Sequence, residues 1–271
     1  MARTQTDGPQ NKGFIMAKID GSLRQWSSLA ATGDREKDGQ RADALAEELR
    51  HRARKNYFLL TSELETGPVR NRMVAAMALG FSNNPEALSV LLAALEDVDD
   101  RVEINALIGL SVLASKDTPL SLLTYRMREH DNPQARAMAS SAVVYCVAAG
   151  ATCEDVKSTA RLGLIDSEPV VRTRSSLILA ELQDSDSVES IAALLYDEIP
   201  LVRRAARQSI TQLGMRDDHV RGDAARALAT ALSRADTDAD ETNLILYLRK
   251  LSNINHGDDV TEWVDWANQM P

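Results

Sequence analysis

The stretch Asp166-Ser167-Glu168-Pro169-Val170-Val171-Arg172-Thr173-Arg174-Ser175-Ser176-Leu177-Ile178-Leu179 decides how this chain folds. Its first four residues read as a turn that opens a helix. Acidic side chains there accept hydrogen bonds from the unpaired N–H groups of the first helical turn and sit at the positive end of the helix dipole. Pro169 suits the same turn, where its missing N–H costs nothing. From Val171 onward, small and apolar residues follow at helical spacing. The series then returns as Asp197-Glu198-Ile199-Pro200, Val202-Arg203 and Ala206-Arg207-Gln208-Ser209-Ile210.

Three earlier segments align with these two: Asn71-Arg72 with Ala75–Gly80, Val102-Glu103 with Ala106–Leu110, and Ala135-Arg136 with Ala139–Val143. The second residues of the pairs stand at 72, 103, 136, 172 and 203, separated by 31, 33, 36 and 31 residues. A period of about 33 that tolerates small insertions marks a stack of repeated units. A helical segment precedes each of the later ones: Pro85–Glu96, Pro119–Arg128, Glu154–Ile165 and Val188–Tyr196. The pattern predicts an all-α chain, a right-handed α-solenoid of paired antiparallel helices.

These residues resemble the HEAT-repeat family, and bacterial HEAT-like and bilin-lyase-like proteins in particular. In that family a first helix ends at an Asp, and a Val-Arg pair opens the second after a short turn. The resemblance implies a hydrogen-bonded ladder between adjacent repeats carried by Asp166, Arg172, Asp197 and Arg203. Glu103 stands at an Arg position and His130 at an Asp position, so the ladder is expected to break between them. The resemblance covers about residues 60–215 and speaks to fold far more than to function.

The ends read as caps. Residues 1–40 are expected to form a flexible arm with a short helix near Ser22–Leu29, and 41–271 the solenoid. Arg41–Leu64 is expected to be one long helix closing the first repeat. Asp218–Ser233 and Thr242–Leu251 form a sixth pair, and Asp258–Gln269 a last helix. Trp263 and Trp266, three apart, share a helical face and plug the open end of the core, with an aromatic ligand cage as the alternative.

Hydrophobic residues make up 44% of the 271, yet aromatics only 4%. Closely packed helices rich in small residues suit that mixture better than a β-sandwich does. The net charge is −9 and unevenly placed, with residues 1–60 at +3 and residues 61–271 at −12. An acidic body disfavours nucleic acid and anionic membrane as partners. The apolar runs are far shorter than the ~20 residues of a membrane span, and Phe14-Ile15-Met16 is too short for a signal core. Cytoplasmic residence is the expectation, with Cys146 and Cys153 as reduced thiols or, in an oxidising compartment, a disulfide.

No constellation for catalysis emerges. His51, His130, His219 and His256 fall in different units and none lies at metal-ligand spacing. Asp236-Thr237-Asp238-Ala239-Asp240 starts like a calcium loop, but Glu241 stands where Gly is needed and Tyr247 where the bidentate Glu should be, so a capped helix start is expected. Phosphate-loop and nucleophile-elbow motifs are missing, and the paired serines occupy small-residue positions of the repeat. Neither cofactor nor metal is expected.

One surface departs from the repeat pattern. Counting the Val position as zero, +2 and +6 should face outward along the second helices, and there stand Met73, Ile104, Met77, Ile108 and Leu177. Apolar, Met-containing patches adapt to peptides and partner helices. Either a partner covers this stripe, or the repeat's curvature or the arm carrying Phe14, Ile15, Met16 and Trp26 does. The leading expectation is a non-catalytic scaffold or adaptor that binds a protein or peptide on its concave face. A lyase or chaperone-like enzyme acting on a ligand in the concavity is the alternative.

Overall fold

The repeat is present as read. The computed structural model describes residues 11–32 and 35–271, with side chains described outside 31–37. Among these residues the secondary structure is helical throughout, without strands. The helices divide into two compact units, 1–118 and 119–271, where the sequence reads as one solenoid from 41 onward.

In the first unit α1 (Lys12–Thr32) and α2 (Arg35–Lys55) are followed by two hairpins. These pair α3 (Tyr57–Thr66) with α4 (Val69–Leu79), and α5 (Ala87–Ala93) with α6 (Asp100–Leu113). Two expectations need correction here. The arm contains a 21-residue helix, α1, rather than a short one near Ser22–Leu29; residues 1–10 of that arm lie outside the described residues. Met16, Ile19 and Leu23 of α1 are buried because they recur on one side of it and face α2 and α4. Buried Glu63 holds the helix start through an ion pair with Lys12, and Asp20 accepts from both Arg24 and Arg70. Further along, the Trp26 ring meets Phe81 edge-on, centroids 5.1 Å apart.

The second correction is at Asn56. The expected long helix over 41–64 is broken there: Asn56 leaves helical geometry at φ −113°, ψ 22°, and its side-chain amide donates to the Arg52 carbonyl. An Asn that can satisfy the preceding helix end locally competes with the helix itself.

Helices α4 and α6 pack unusually closely. A β-carbon added to Gly80 would stand 2.3 Å from the Gly109 carbonyl oxygen, and one added to Gly109 would stand 2.5 Å from that of Ala76. The glycines are there because backbone meets backbone.

The second unit pairs α7 (Leu120–Glu129) with α8 (Pro133–Ala148), α9 (Val156–Gly163) with α10 (Pro169–Glu181), α11 (Val188–Ala193) with α12 (Pro200–Arg216), and α13 (Asp218–Leu232) with α14 (Asp238–Ser252). Helix α15 (Val260–Gln269) packs on α13 and brings Trp263 into the core with no exposed surface. Trp266 is half-buried and meets Trp263 edge-on at 5.8 Å, in keeping with the plug reading. Pro opens α8, α10 and α12 as the turns suggest, and Asn132, Glu168, Asp217 and Thr237 cap their helices with side-chain oxygens. Thr237 thus turns the calcium-like stretch into a helix start.

Where α8, α10 and α12 pack in series, small residues are buried on all three helices: Ala139, Ser140, Ala142, Ser175, Ser176, Ala206 and Ser209, each with no exposed surface. Ser140 and Ser176 return their hydroxyl protons to carbonyls one turn back, Ala137 and Thr173, at 2.7 and 2.9 Å. Those two hydroxyls are satisfied within their own helices, whereas the buried hydroxyls of Ser175 and Ser209 meet no partner among the described residues. Cys146 is buried and Cys153 half-buried.

Candidate binding surface

Arginine–aspartate forks run between adjacent hairpins. Arg172 does not pair with the Asp166 carboxylate of its own hairpin. Its Nε and Nη2 donate to Asp197 in the following hairpin at 2.7 and 2.9 Å, while Nη1 donates to the Asp166 carbonyl at 2.9 Å. Arg136 does the same with Asp166 (3.0 and 3.1 Å) and the His130 carbonyl (3.0 Å). In the first unit Arg72 holds Asp97 (2.7 and 2.9 Å) and the Gly67 carbonyl (3.1 Å). Each guanidinium fork thus ties its own turn to the next one. Such charge-assisted, two-pronged bonds are stronger and more directional than neutral ones.

Each ladder carboxylate also folds its own turn. Asp97, Asp166 and Asp197 accept from the amide two residues on, that of Asp99, Glu168 and Ile199, at 2.7–2.9 Å. His130 replaces Asp in this role, its Nδ1 accepting from Asn132 N at 3.0 Å. The departure keeps the turn while removing the carboxylate. Glu103, the other departure, is buried. For Asp97, the Arg72 fork outweighs burial and holds the carboxyl below its usual range. For Asp197, burial pushes the carboxyl up, and the Arg172 fork together with the Ile199 amide more than offsets it. Arg203 departs from the pattern. It donates to the Asp197 and Glu198 carbonyls at 3.0 and 3.2 Å, but its carboxylate partner is Asp240 of α14, at 3.2 Å.

The apolar stripe does not form an open groove. Met77 and Ile104 are each only 6% exposed, and Met73, Ile108 and Leu177 are half-buried. Helix α1 lies against α4, and the glycine contact draws α6 against α4, so Val74 to Leu79 is buried without interruption. The outward positions of a repeat are outward only where no further helix packs on them.

On the second helices of the second unit, exposed Tyr145 and Gln208 stand beside half-buried Arg174 and Leu177. The Arg174 guanidinium of α10 lies over the Tyr145 ring of α8, 5.9 Å from its centroid. Leu177 follows one turn along from Arg174, and Gln208 of α12 is exposed. Gln212 donates to the Ala180 carbonyl and the Glu181 carboxylate at 3.3 and 3.2 Å. An aromatic ring, a stacked guanidinium and side-chain amides therefore share the α8–α10–α12 face. The sequence reading missed this face, although Tyr145, Arg174 and Gln212 lie at i+3 to i+10 of the aligned pairs. It missed also the clasp of Arg161 on buried Asp184, with both bonds 2.8 Å.

Among the described residues, no group of three or more His, Cys, Asp or Glu side chains is placed to hold a metal, and no helix is long and apolar enough to cross a membrane.

Paired helices stacked with a period near 33, tied by Arg–Asp forks, define an α-solenoid of helical repeats. Residues 59–143 match the family model for HEAT repeats. No curated protein sequence matches significantly. Among solved structures, a designed armadillo repeat protein superposes with a TM-score of 0.54 at 16% identity, covering 71% of this chain and 98% of that one. An engineered protein superposes with a TM-score of 0.51 at 17% identity, covering 91% and 72%. At these identities the likeness is one of fold.

Proposed function

We propose that the protein is a non-catalytic adaptor that holds an extended polypeptide along the α8–α10–α12 face. The observation that carries this reading is the Tyr145–Arg174 stack beside Leu177 and Gln208. Tyr and Arg present large, pre-oriented contact surfaces and are the side chains on which binding energy concentrates. Side-chain amides such as those of Gln208 and Gln212 can donate to and accept from a peptide backbone at once. Helical repeats supply such groups at regular intervals, which suits an extended ligand.

The test is a selection of displayed random peptides on the full chain, followed by affinity measurements on Tyr145→Ala, Arg174→Ala and Gln208→Ala. Peptides are expected to emerge that lose about tenfold or more in affinity with Tyr145→Ala or Arg174→Ala. A selection that returns only peptides indifferent to all three substitutions would overturn the assignment of this face.

A further inference from the structure

At one rung of the Arg–Asp ladder the arginine is kept while the carboxylate is missing, and a cavity lies where the carboxylate would be. In each complete rung the ladder Asp stands two residues before the start cap of the second helix: Asp97 before Asp99, Asp166 before Glu168, Asp197 before Ile199. The cap of α14 is Thr237, so the corresponding position is Ala235. Arg203, the guanidinium that should close on it, meets a carboxylate only at Asp240, through Nη2 at 3.2 Å, where the complete rungs engage both Nε and Nη2.

A second guanidinium faces the same space. Arg207 is 6% exposed, its Nη1 donates to Asp240 at 3.0 Å, and its buried Nε meets no acceptor among the described residues. A buried charged donor without a partner is costly, and a native structure that keeps one usually has something to offer it. Arg203, Arg207 and Ala235 line one cavity of about 360 Å³. One part of its wall is apolar, made by the buried side chains of Leu195, Ala231 and Leu244. Tyr196 stands at the cavity with Arg234 over its ring at 5.7 Å.

We propose that this cavity binds a monocarboxylate with an apolar body, whose carboxylate completes the rung left open by Ala235. Planar two-oxygen acceptors match guanidinium forks, and three complete rungs of this chain make that match. Asp197, Glu198, Asp236 and Asp240 also line the cavity, so a single negative charge is accommodated better than a doubly charged phosphate. The volume exceeds that of a carboxylate group, and the apolar wall gives the remainder of the ligand its contact. The carboxylate can come from a free small acid or from the C-terminus of a peptide. This inference is independent of the proposed α8–α10–α12 face.

The test uses 3-phenylpropionate and its neutral amide, titrated into the full chain while the arginine Nε–H signals are followed by NMR. The acid should shift the Arg203 and Arg207 signals and bind about tenfold or more tighter than the amide. Ala235→Asp supplies the carboxylate in cis, so it should raise the melting temperature and weaken acid binding about tenfold, with helical circular dichroism unchanged. The tripeptide Gly-Gly-Phe, free and amidated at its C-terminus, separates the sources: a free-acid peptide tighter than 3-phenylpropionate identifies a chain terminus, a weaker one a small acid. Equal binding of acid and amide, no binding of either, or full acid affinity in a folded Ala235→Asp variant would overturn the proposal.

Discussion

Gly80 and Gly109 meet backbone to backbone, with the carbonyl oxygen of Gly109 only 2.3 Å from where a β-carbon on Gly80 would be. Helices α4 and α6 are held at a separation that no other residue at either position permits. Gly109→Ala should therefore destabilise the protein by about 3 kcal/mol, the upper range for overpacking, because the opposing atom is backbone and cannot rotate away. Gly21→Ala in α1 is the control: nothing lies within 4 Å of where its β-carbon would stand, so the change should stabilise by about 0.5–1 kcal/mol through helix propensity alone. Urea midpoints of the two variants check the contrast.

Arg172→Ala should cost about 2 kcal/mol, since it strips a largely buried carboxylate of both fork bonds and leaves the Asp166 carbonyl without its donor. The residue left unpaired is Asp197, so Asp197→Asn should add little on top of Arg172→Ala. Glu103→Arg is expected to destabilise rather than repair the ladder, because Asp97 is already held by Arg72 and Glu103 is buried. A denaturation cycle of the Arg172 and Asp197 single and double variants measures the coupling.

The same carboxylates set the response to acid. Asp97 and Asp197 have folded-state pKa values below the ordinary 3.8, so the unfolded chain binds their protons first as pH falls. Their contribution is complete above the unfolded value and is lost as pH drops through 3.8 towards the lower folded values. Stability should thus rise with pH across that interval, and Asp197→Asn should flatten the slope. Melting temperatures collected between about pH 2 and pH 5 would show it.

Ala114 ends α6 in the left-handed region, φ 47° and ψ 51°. An L-residue with a β-carbon is strained in that conformation, whereas Gly is not, though Gly gains freedom in the unfolded chain. Ala114→Gly should stabilise by about 0.5 kcal/mol, read as an upward shift of the thermal midpoint.

The hairpins were legible because turn chemistry and helical spacing agree: Pro85–Glu96 and Val188–Tyr196 appear as α5 and α11, each finished by a short 3-10 turn. What the spacing could not tell was which neighbour each side chain meets. Arg172 and Asp166 belong to one turn in sequence, yet the fork spans to Asp197, because a guanidinium on the first turn of a second helix projects towards the following unit. Met77 and Ile104 sit at outward positions of the repeat, and only the packing of α1 and the glycine contact bury them. Asn56 carries no punctuation strong enough to reveal a helix break in advance. The Tyr145–Arg174 stack joins residues 29 apart, a distance at which no periodicity signals a contact.

The seam of alanines and serines between α8, α10 and α12 bears on how the protein responds to temperature. Heat capacity rises on unfolding with the hydrocarbon newly wetted and falls with the polar surface. A seam of methyl and hydroxymethyl groups, with few aromatic rings elsewhere, wets little hydrocarbon for each residue released. Its increment per residue should lie below the usual value of about 12–15 cal/mol/K. The free-energy curve is then shallow and broad, changing slowly on either side of its maximum, so that cold weakens this stack less than it would an oilier core of the same length.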